Sequence, residues 1–472
     1  MPYTLIADFR LGVDRSRPIY AGISGSLWSG INGHVTRGGD FEKRKAFQAT
    51  YALPTGTFGC AAAGSALYVF GSGADPGVPS GVTYQRLQHP DGITGMSAVL
   101  WTERYNGLLY VIAEFTDSSI HHYYNGTIVS DWEGGAGNPS FDGVVAKTLS
   151  RKIYSAGSNK LAISGNDTAT GWTDGTDTGA DEINMSNHLG GAETLTALSV
   201  YQKKLAVFSR LAIQIWDMAA DPTANSQVQV IEGTGTRAAG SALGFGDLDV
   251  FYLSDSGVRS LRARDITNIA GVNDVGTPID TLIREWVDTL DDTTVADAVA
   301  VVEPVDGRYW LAIGDRIFVF TYFPTKKVSA WSWYEPGFTV EQFTVVTDRL
   351  YCRSGDVIYL YGGPENATYD LCTVTIQLPF LTAGKPGHNK QVTGLDIAAT
   401  GTWDCKLLTD PNDEDRYTDI GELSGVTFQD DDAAGMNHGT HVAPLLVHED
   451  TGYASVSQIA LYYQGADSEG GT

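Results

Sequence analysis

The stretch GRYWLAIGDRIFVFTY, residues 307–322, holds two apolar runs separated by Gly314 and Asp315. Short β-branched and aromatic runs on either side of a Gly-Asp pair describe two strands joined by a tight turn. The unit returns along the chain as SALYVFGSG (65–73), NGLLYVIAEFTDSSIHHYYNG (106–126) and RKIYSAGSNKLAISG (151–165). It appears again as KKLAVFSRLAIQIWD (203–217), LDVFYLSDSGVRSLRA (248–263) and DRLYCRSGDVIYLYG (348–362). Hairpins repeated at intervals of roughly 30 to 50 residues predict a β-propeller, whose blades are usually four-stranded. About seven blades are expected, with six as the alternative, because an N-terminal strand can complete the last blade.

Composition points the same way. The 472 residues include 55 glycines and only 18% charged side chains, and long Ala/Leu/Glu/Lys helical patterns are scarce, as in a turn-rich all-β protein. The texture divides the chain into an N-terminal arm with entry strands (1–57), a propeller (58–364) and a C-terminal β-sandwich (365–472). One segment breaks the pattern. In TPIDTLIREWVDTL (277–290), Ile279, Leu282, Ile283, Trp286, Val287 and Leu290 follow helical spacing. Thr277 is placed to cap this inserted helix, Pro278 to occupy its first position, and Asp280 to support the cap and the dipole. The oily face is expected against the propeller side or a neighbouring subunit.

Charge excludes more than it identifies. With 31 basic against 56 acidic side chains, the net charge of −25 repels DNA phosphate and anionic lipid. Cys60, Cys352, Cys372 and Cys405 show no CxxC spacing, so neither a zinc site nor a disulfide framework is expected. The N-terminus lacks a signal-peptide core, and no apolar run approaches membrane-spanning length, so synthesis in the cytoplasm without a membrane anchor is expected.

Several motifs suggest chemistry and fail on their surroundings. HGTHVA, from His438, matches the block around the catalytic histidine of subtilisin-like proteases. That machine needs a serine in a following turn. Only Ser455, Ser457 and Ser468 remain, and the first two alternate with apolar residues in a strand pattern. SGNDTATGW (164–172) resembles the Asp-box turns of sialidase propellers, with shifted spacing and no central glycine, and reads as a blade turn. The acidic loops 174–182 and 410–419 lack the spaced calcium-ligand pattern with its terminal glutamate and read as solvated loops. QIWD (214–217) ends in the pair typical of WD repeats but has no partner Gly-His. In the IHHYY strand (120–124), His121 and His122 face opposite ways and cannot jointly hold a metal. No catalytic, cofactor or metal-binding residue is assigned, and the chain does not read as an enzyme.

In order along the chain, several segments resemble one family, the tail nozzle or packaged-DNA stabilisation proteins of short-tailed phages. They are SLWSGINGHVTRGGDFEKRKAF (26–47), AETLTALSVYQKKLAVFSRLAIQIWDM (192–218), VFYLSDSGVRSL (250–261) and GTPIDTLIREW (276–286). The likeness continues through residues 307–335, with Trp331 and Trp333, and through residues 372–401. Long-tailed phages carry similarly built tail proteins. The resemblance implies a virion protein, a propeller subunit in a six-fold ring below the portal. It would extend the DNA channel and hold the packaged genome. Its implied partners are other copies of itself, the head-to-tail adaptor, tail fibre or tail tip proteins, and genomic DNA passing without adhering. A carbohydrate- or receptor-binding propeller of the tail tip, with or without activity on glycans, is the competing expectation.

Overall fold

In the computed structural model the chain is described over residues 3–132, 143–175, 178–191, 193–246, 249–263, 270–382, 389–413, 415–428 and 437–465. Each of the seven units lies in a blade of its own, six as hairpins and SALYVFGSG as a single strand, and the seven blades close into a propeller. In the hairpin quoted first, Tyr309–Ile313 pairs antiparallel with Arg316–Phe323, and Ile313 stands opposite Arg316. The two-residue reversal needs Gly314, whose φ of +63° is open to glycine at no steric cost.

Blade 1 comprises Phe58–Ala63, Ala66–Gly71 and Val82–Arg86; blade 2 Met96–Tyr105, Leu108–Phe115, Ile120–Tyr124 and Thr127–Ile128. Blade 3 holds Val145–Leu149, Lys152–Gly157, Lys160–Ile163 and Asp181–Asn184, and blade 4 Leu195–Tyr201, Lys204–Ser209, Ala212–Asp217 and Ser226–Glu232. Blade 5 is made of Leu243–Phe245, Asp249–Ser254, Gly257–Ala263 and Ala270–Asn273, and blade 6 of Val299–Val302, Tyr309–Ile313, Arg316–Phe323 and Val328–Tyr334. Blade 7 takes Gln342–Val346, Arg349–Ser354 and Val357–Tyr361 from late in the chain and its outer strand, Phe47–Ala52, from the beginning. The innermost strands pack on one another in chain order until Gln342–Val346 meets Phe58–Ala63. Blade 1 departs from the four-stranded pattern: it has three strands, and Val82–Arg86 runs parallel to Ala66–Gly71 after the connection 72–81.

Between blades the layers are aromatic. Trp310 is fully buried, with ring centroids of Tyr361 and Tyr334 at 4.8 and 5.2 Å in edge-to-face geometry. Such pairs contribute about 1 kcal/mol each beyond the area they bury.

The helix spans Asp280–Val287, shorter at both ends than the periodicity predicts. Thr277 does not cap it. Its hydroxyl donates to the Asp274 carbonyl, and Ile279 occupies the cap position without a side-chain bond. Asp280 turns away to accept from Arg259 Nη1 at 2.9 and 3.0 Å, a charge-assisted contact stronger than a neutral cap. Leu290 lies beyond the helix, ahead of a second short helix, Asp292–Ala296, capped by Asp291. The oily face packs within the chain: Ile279, Leu282 and Ile283 are buried, and the Trp286 indole donates to the Ile313 carbonyl.

The sandwich uses both ends of the chain. From the outer strand of blade 6, pairing passes to Ser29–Ile31, then to Val374–Gln377, Ala443–His448, Lys390–Leu408, Ser455–Gly465, Phe41–Lys43 and Gly33–Val35. Tyr3–Ile6 adds to Ser455–Gly465, and Tyr417–Gly425 to Lys390–Leu408. The long strand Lys390–Leu408 turns the corner between the layers. Its first half pairs with Ser455–Gly465, its second with Ala443–His448, and register shifts fall where the partner changes. Inside lie Phe9, Phe41, Ile376, Leu395, Trp403 and Ile459, all at 0% exposure. The expected arm, residues 1–57, is therefore divided: its first strands complete the sandwich sheet, and Phe47–Ala52 completes the propeller.

A polar weld joins the two parts. Arg44, at 2% exposure, donates to both carboxylate oxygens of Asp370 at 3.0 Å and to the Asn32 side chain at 3.0 Å. Asn32 in turn donates to the Thr373 carbonyl and accepts from Glu335 N–H. Beside it, His34 Nδ1 lies 2.7 Å from the Tyr334 hydroxyl in blade 6. Burial, with Arg308 and Lys45 nearby, holds that imidazole well below its ordinary pKa, hence neutral.

Candidate functional site

A space with convergent polar groups lies on the propeller axis. A cavity of about 690 Å³ is lined by the entry ends of the inner strands, with Phe58, Trp101 and Phe343 among its walls. A second of about 300 Å³ follows, lined by Ala61, Ala62, Arg104 and Thr344. Thr102, Glu103 and Lys147 line both, so they form the partition between them. Lys147 Nζ donates to Glu103 Oε2 at 3.2 Å, and Glu103 Oε1 accepts from Thr148 N–H at 3.3 Å.

The innermost strands place these groups. Met96–Tyr105 shifts register against Leu108–Phe115 between Met96 and Ala98 and again between Val99 and Trp101. A regular pleat sends alternate side chains to one face, whereas bulges re-aim them. Every residue from Ser97 to Glu103 lines the larger cavity, as do residues 296–300 and 339–343, because an innermost strand turns its edge to the axis. The Trp101 indole nitrogen is buried with no hydrogen-bond partner among the described residues. At the mouth, partial burial together with Asp291 and Glu341 raises the Asp297 carboxyl above its usual range.

Arginines hold the walls rather than the cavity. Arg353 of blade 7 donates to the carbonyls of Gly355, Gly59 and Thr57 at 2.8, 2.6 and 2.6 Å, tying the last blade to the first. Arg104 of blade 2 reaches the Ala62 carbonyl in blade 1 at 2.6 Å and the Val345 carbonyl in blade 7 at 3.1 Å.

The motifs that resembled catalytic or metal sites fall elsewhere, separate from one another. His122 is buried, its Nδ1 2.7 Å from the Tyr110 hydroxyl, and its ring stacks on Trp132 at 3.6 Å. Burial pushes its pKa down to about 3. His121 points the other way, against His89 and Phe115. Residues 164–172 join the third and fourth strands of blade 3, where Ser164 accepts from Ile153 N–H and the buried Trp172 donates to the Ala169 carbonyl. In the acidic loops, Glu182 is bound by Lys160 at 2.7 Å and Asp410 by Arg416 at 3.1 Å, while residues 176, 177 and 414 lie outside the described ones. Asp217 of QIWD pairs with Lys204. Asn437–Gly439 is a strand on Lys390–Val392; the His438 side chain and Ser468 lie outside the description, and Ser455 and Ser457 belong to the strand Ser455–Gly465. Among the described residues no three His, Cys, Asp or Glu side chains converge as a metal site, and no helix is long and apolar enough to cross a membrane.

Sequence reasoning missed Trp101, Glu103 and Lys147. For the first two the one local signal is WTERY, residues 101–105, which places charged side chains inside a strand-like run bounded by aromatics.

The fold defines an all-β protein of two parts, a seven-bladed propeller and a sandwich. No family model matches the sequence, and no curated protein does. Among solved structures the chain is similar to the extracellular domain of a one-component system from B. thetaiotaomicron (TM-score 0.35, 9% identity, 80% of this chain and 46% of that one). It is also similar to the CNH domain of AfRom2 (0.32, 10%, 77% and 94%). A third is a protein assigned as a 6-phosphogluconolactonase from Bacteroides uniformis (0.33, 12%, 67% and 90%). The chain thus spans less than half of the first of these, and likenesses at this level bear on neither activity nor partners.

Proposed function

We propose that the protein is a structural part of a phage tail, a subunit of a ring that extends the DNA channel and retains the packaged genome. The family resemblance supplies the role. The observation that carries it further is that the sandwich offers unlike open strand edges, two of which carry exposed apolar side chains. Among the described residues, Tyr3–Ile6 pairs only with Ser455–Gly465, and Tyr417–Gly425 only with Lys390–Leu408. Tyr3 and Leu5 are exposed on the first, Tyr417 on the second. A closed ring of identical subunits needs two different, mutually complementary patches, and unpaired edges are ready templates for association.

Physical size constrains where DNA runs. The axial cavity holds about 690 Å³ and is partitioned by Glu103 and Lys147, whereas the major groove alone of a duplex is about 12 Å wide. DNA does not thread the propeller in this reading; it passes through the opening that the copies enclose. The net charge of −25 keeps such a lumen from gripping phosphate. Adaptor and tail tip proteins would sit on the two faces of the ring.

Electron microscopy of the purified protein, alone and with a portal-adaptor complex, tests this. Open-centred rings are expected, and Leu5→Lys, which puts a charge on one edge, is expected to return them to single subunits. Single subunits under both conditions would overturn the reading. The axial cavity has no part in either the ring or the channel.

A further inference from the structure

We infer that the axial cavity of the propeller is a binding site for a neutral saccharide, entered from the side of Asp297 and Glu341. Its volume of about 690 Å³ falls in the range of small-ligand sites, about 300 to 1,000 Å³. Its polar groups have capacity to spare. The Trp101 ring, partly buried, is among the groups that line the cavity. The same ring offers an apolar face of the kind on which a pyranose stacks. On the floor, each Glu103 oxygen takes one protein donor, and Lys147 uses one of three N–H donors on Glu103, so both can engage further hydroxyls.

The charge pattern selects among ligand classes. Glu103, Asp297 and Glu341 stand against Lys147 and Arg353, and the Arg353 guanidinium is already taken up by three carbonyls. An anionic ligand would meet uncompensated carboxylates. An organic cation would be brought against Lys147. A wholly apolar ligand would desolvate the Glu103–Lys147 pair without replacing its hydrogen bonds. A neutral polyhydroxylated ring meets none of these penalties.

The test is an array of neutral and sialylated oligosaccharides, followed by calorimetric titration with the best neutral binder. Neutral oligosaccharides are expected to bind and sialylated ones not. Trp101→Ala is expected to weaken binding about tenfold, and Glu103→Gln by less. Should Trp101→Ala lose its cooperative melt, the exposed Asp297→Lys serves in its place and is expected to move preference toward the sialylated probes. No neutral oligosaccharide bound at millimolar concentration would overturn the inference, as would binding that these variants leave unchanged. Ring assembly is read separately by microscopy, so the failure of one reading leaves the other standing.

Discussion

Blade 4 and the sandwich are both antiparallel β-structure, yet the chain builds them in opposite ways. Blade 4 is one continuous run from Leu195 to Glu232 in which each strand pairs with the next. The sandwich takes Tyr3–Ile6 and Ser29–Ile31 from one end of the chain and joins them to strands after Val374. Local pairing closes short loops and forms early, whereas pairing between the chain ends must first meet a large loop-closure cost. Blade 7 belongs with the sandwich in this respect, since its outer strand Phe47–Ala52 arrives from the N-terminal end. The propeller and the sandwich are thus expected to lock in one step, around Arg44 and His34.

The largest test of that coupling is a pair of core truncations. Trp403→Ala in the sandwich and Trp310→Ala between blades 6 and 7 are each expected to cost about 3–5 kcal/mol, since both rings are fully buried. Scanning calorimetry should show one transition, lowered by either variant. Two transitions, each sensitive to one variant only, would separate the parts.

Next come the arginines at the two closures. Arg44→Ala would strand Asp370 and Asn32 at the weld and is expected to cost about 3 kcal/mol. Arg353→Ala leaves three carbonyls of the blade 7–blade 1 seam without their donor, for about 2–3 kcal/mol. Urea titration compares them; a change near zero for Arg353→Ala would mean that Phe47–Ala52 alone holds the ring shut.

Acid acts on both parts at once. His122 has a folded-state pKa of about 3 against an ordinary value of 6.5. Between these values the unfolded chain binds the proton and the folded chain does not, so stability falls as pH drops through the window. From pH 7 to 5 the loss is about 2 kcal/mol for this group. His34 contributes in the same direction, while the raised carboxyl of Glu42, also held up by burial, opposes it at lower pH. Urea midpoints for the parent and His122→Gln at both pH values check the assignment, with the variant expected to show the shallower dependence. A slope that His122→Gln leaves unaltered would move the effect to other groups.

The smallest effect is expected at the surface between blades 4 and 5, where Arg210 meets Asp255 at 2.8 Å with both side chains well exposed. Arg210→Ala is expected to change stability by less than about 0.5 kcal/mol, and less again in high salt. A larger loss would show that the contiguous blades, too, depend on ionic ties.

Whereas residues 65–73 hold one strand whose next partner runs parallel to it, six hairpins were legible from apolar runs around Gly, Asn or Ser turns, because a hairpin's register depends on residues near each other in the chain. So was the helix at Leu282 and Ile283, though not its cap. Thr277 and Asp280 had the right types, but Arg259, on another strand, took the carboxylate. The axial site was hardly legible. Trp101, Glu103 and Lys147 come from blades 2 and 3, and only the closure of the propeller brings them to one axis. Local side-chain patterns thus determined the strands, the turns and the all-β class by themselves. Tertiary structure alone decided which strand closes the ring, which ends make the sandwich and which side chains face the axis. Those depend on long-range pairing and on where a distant charge finds its partner, and no local periodicity encodes either.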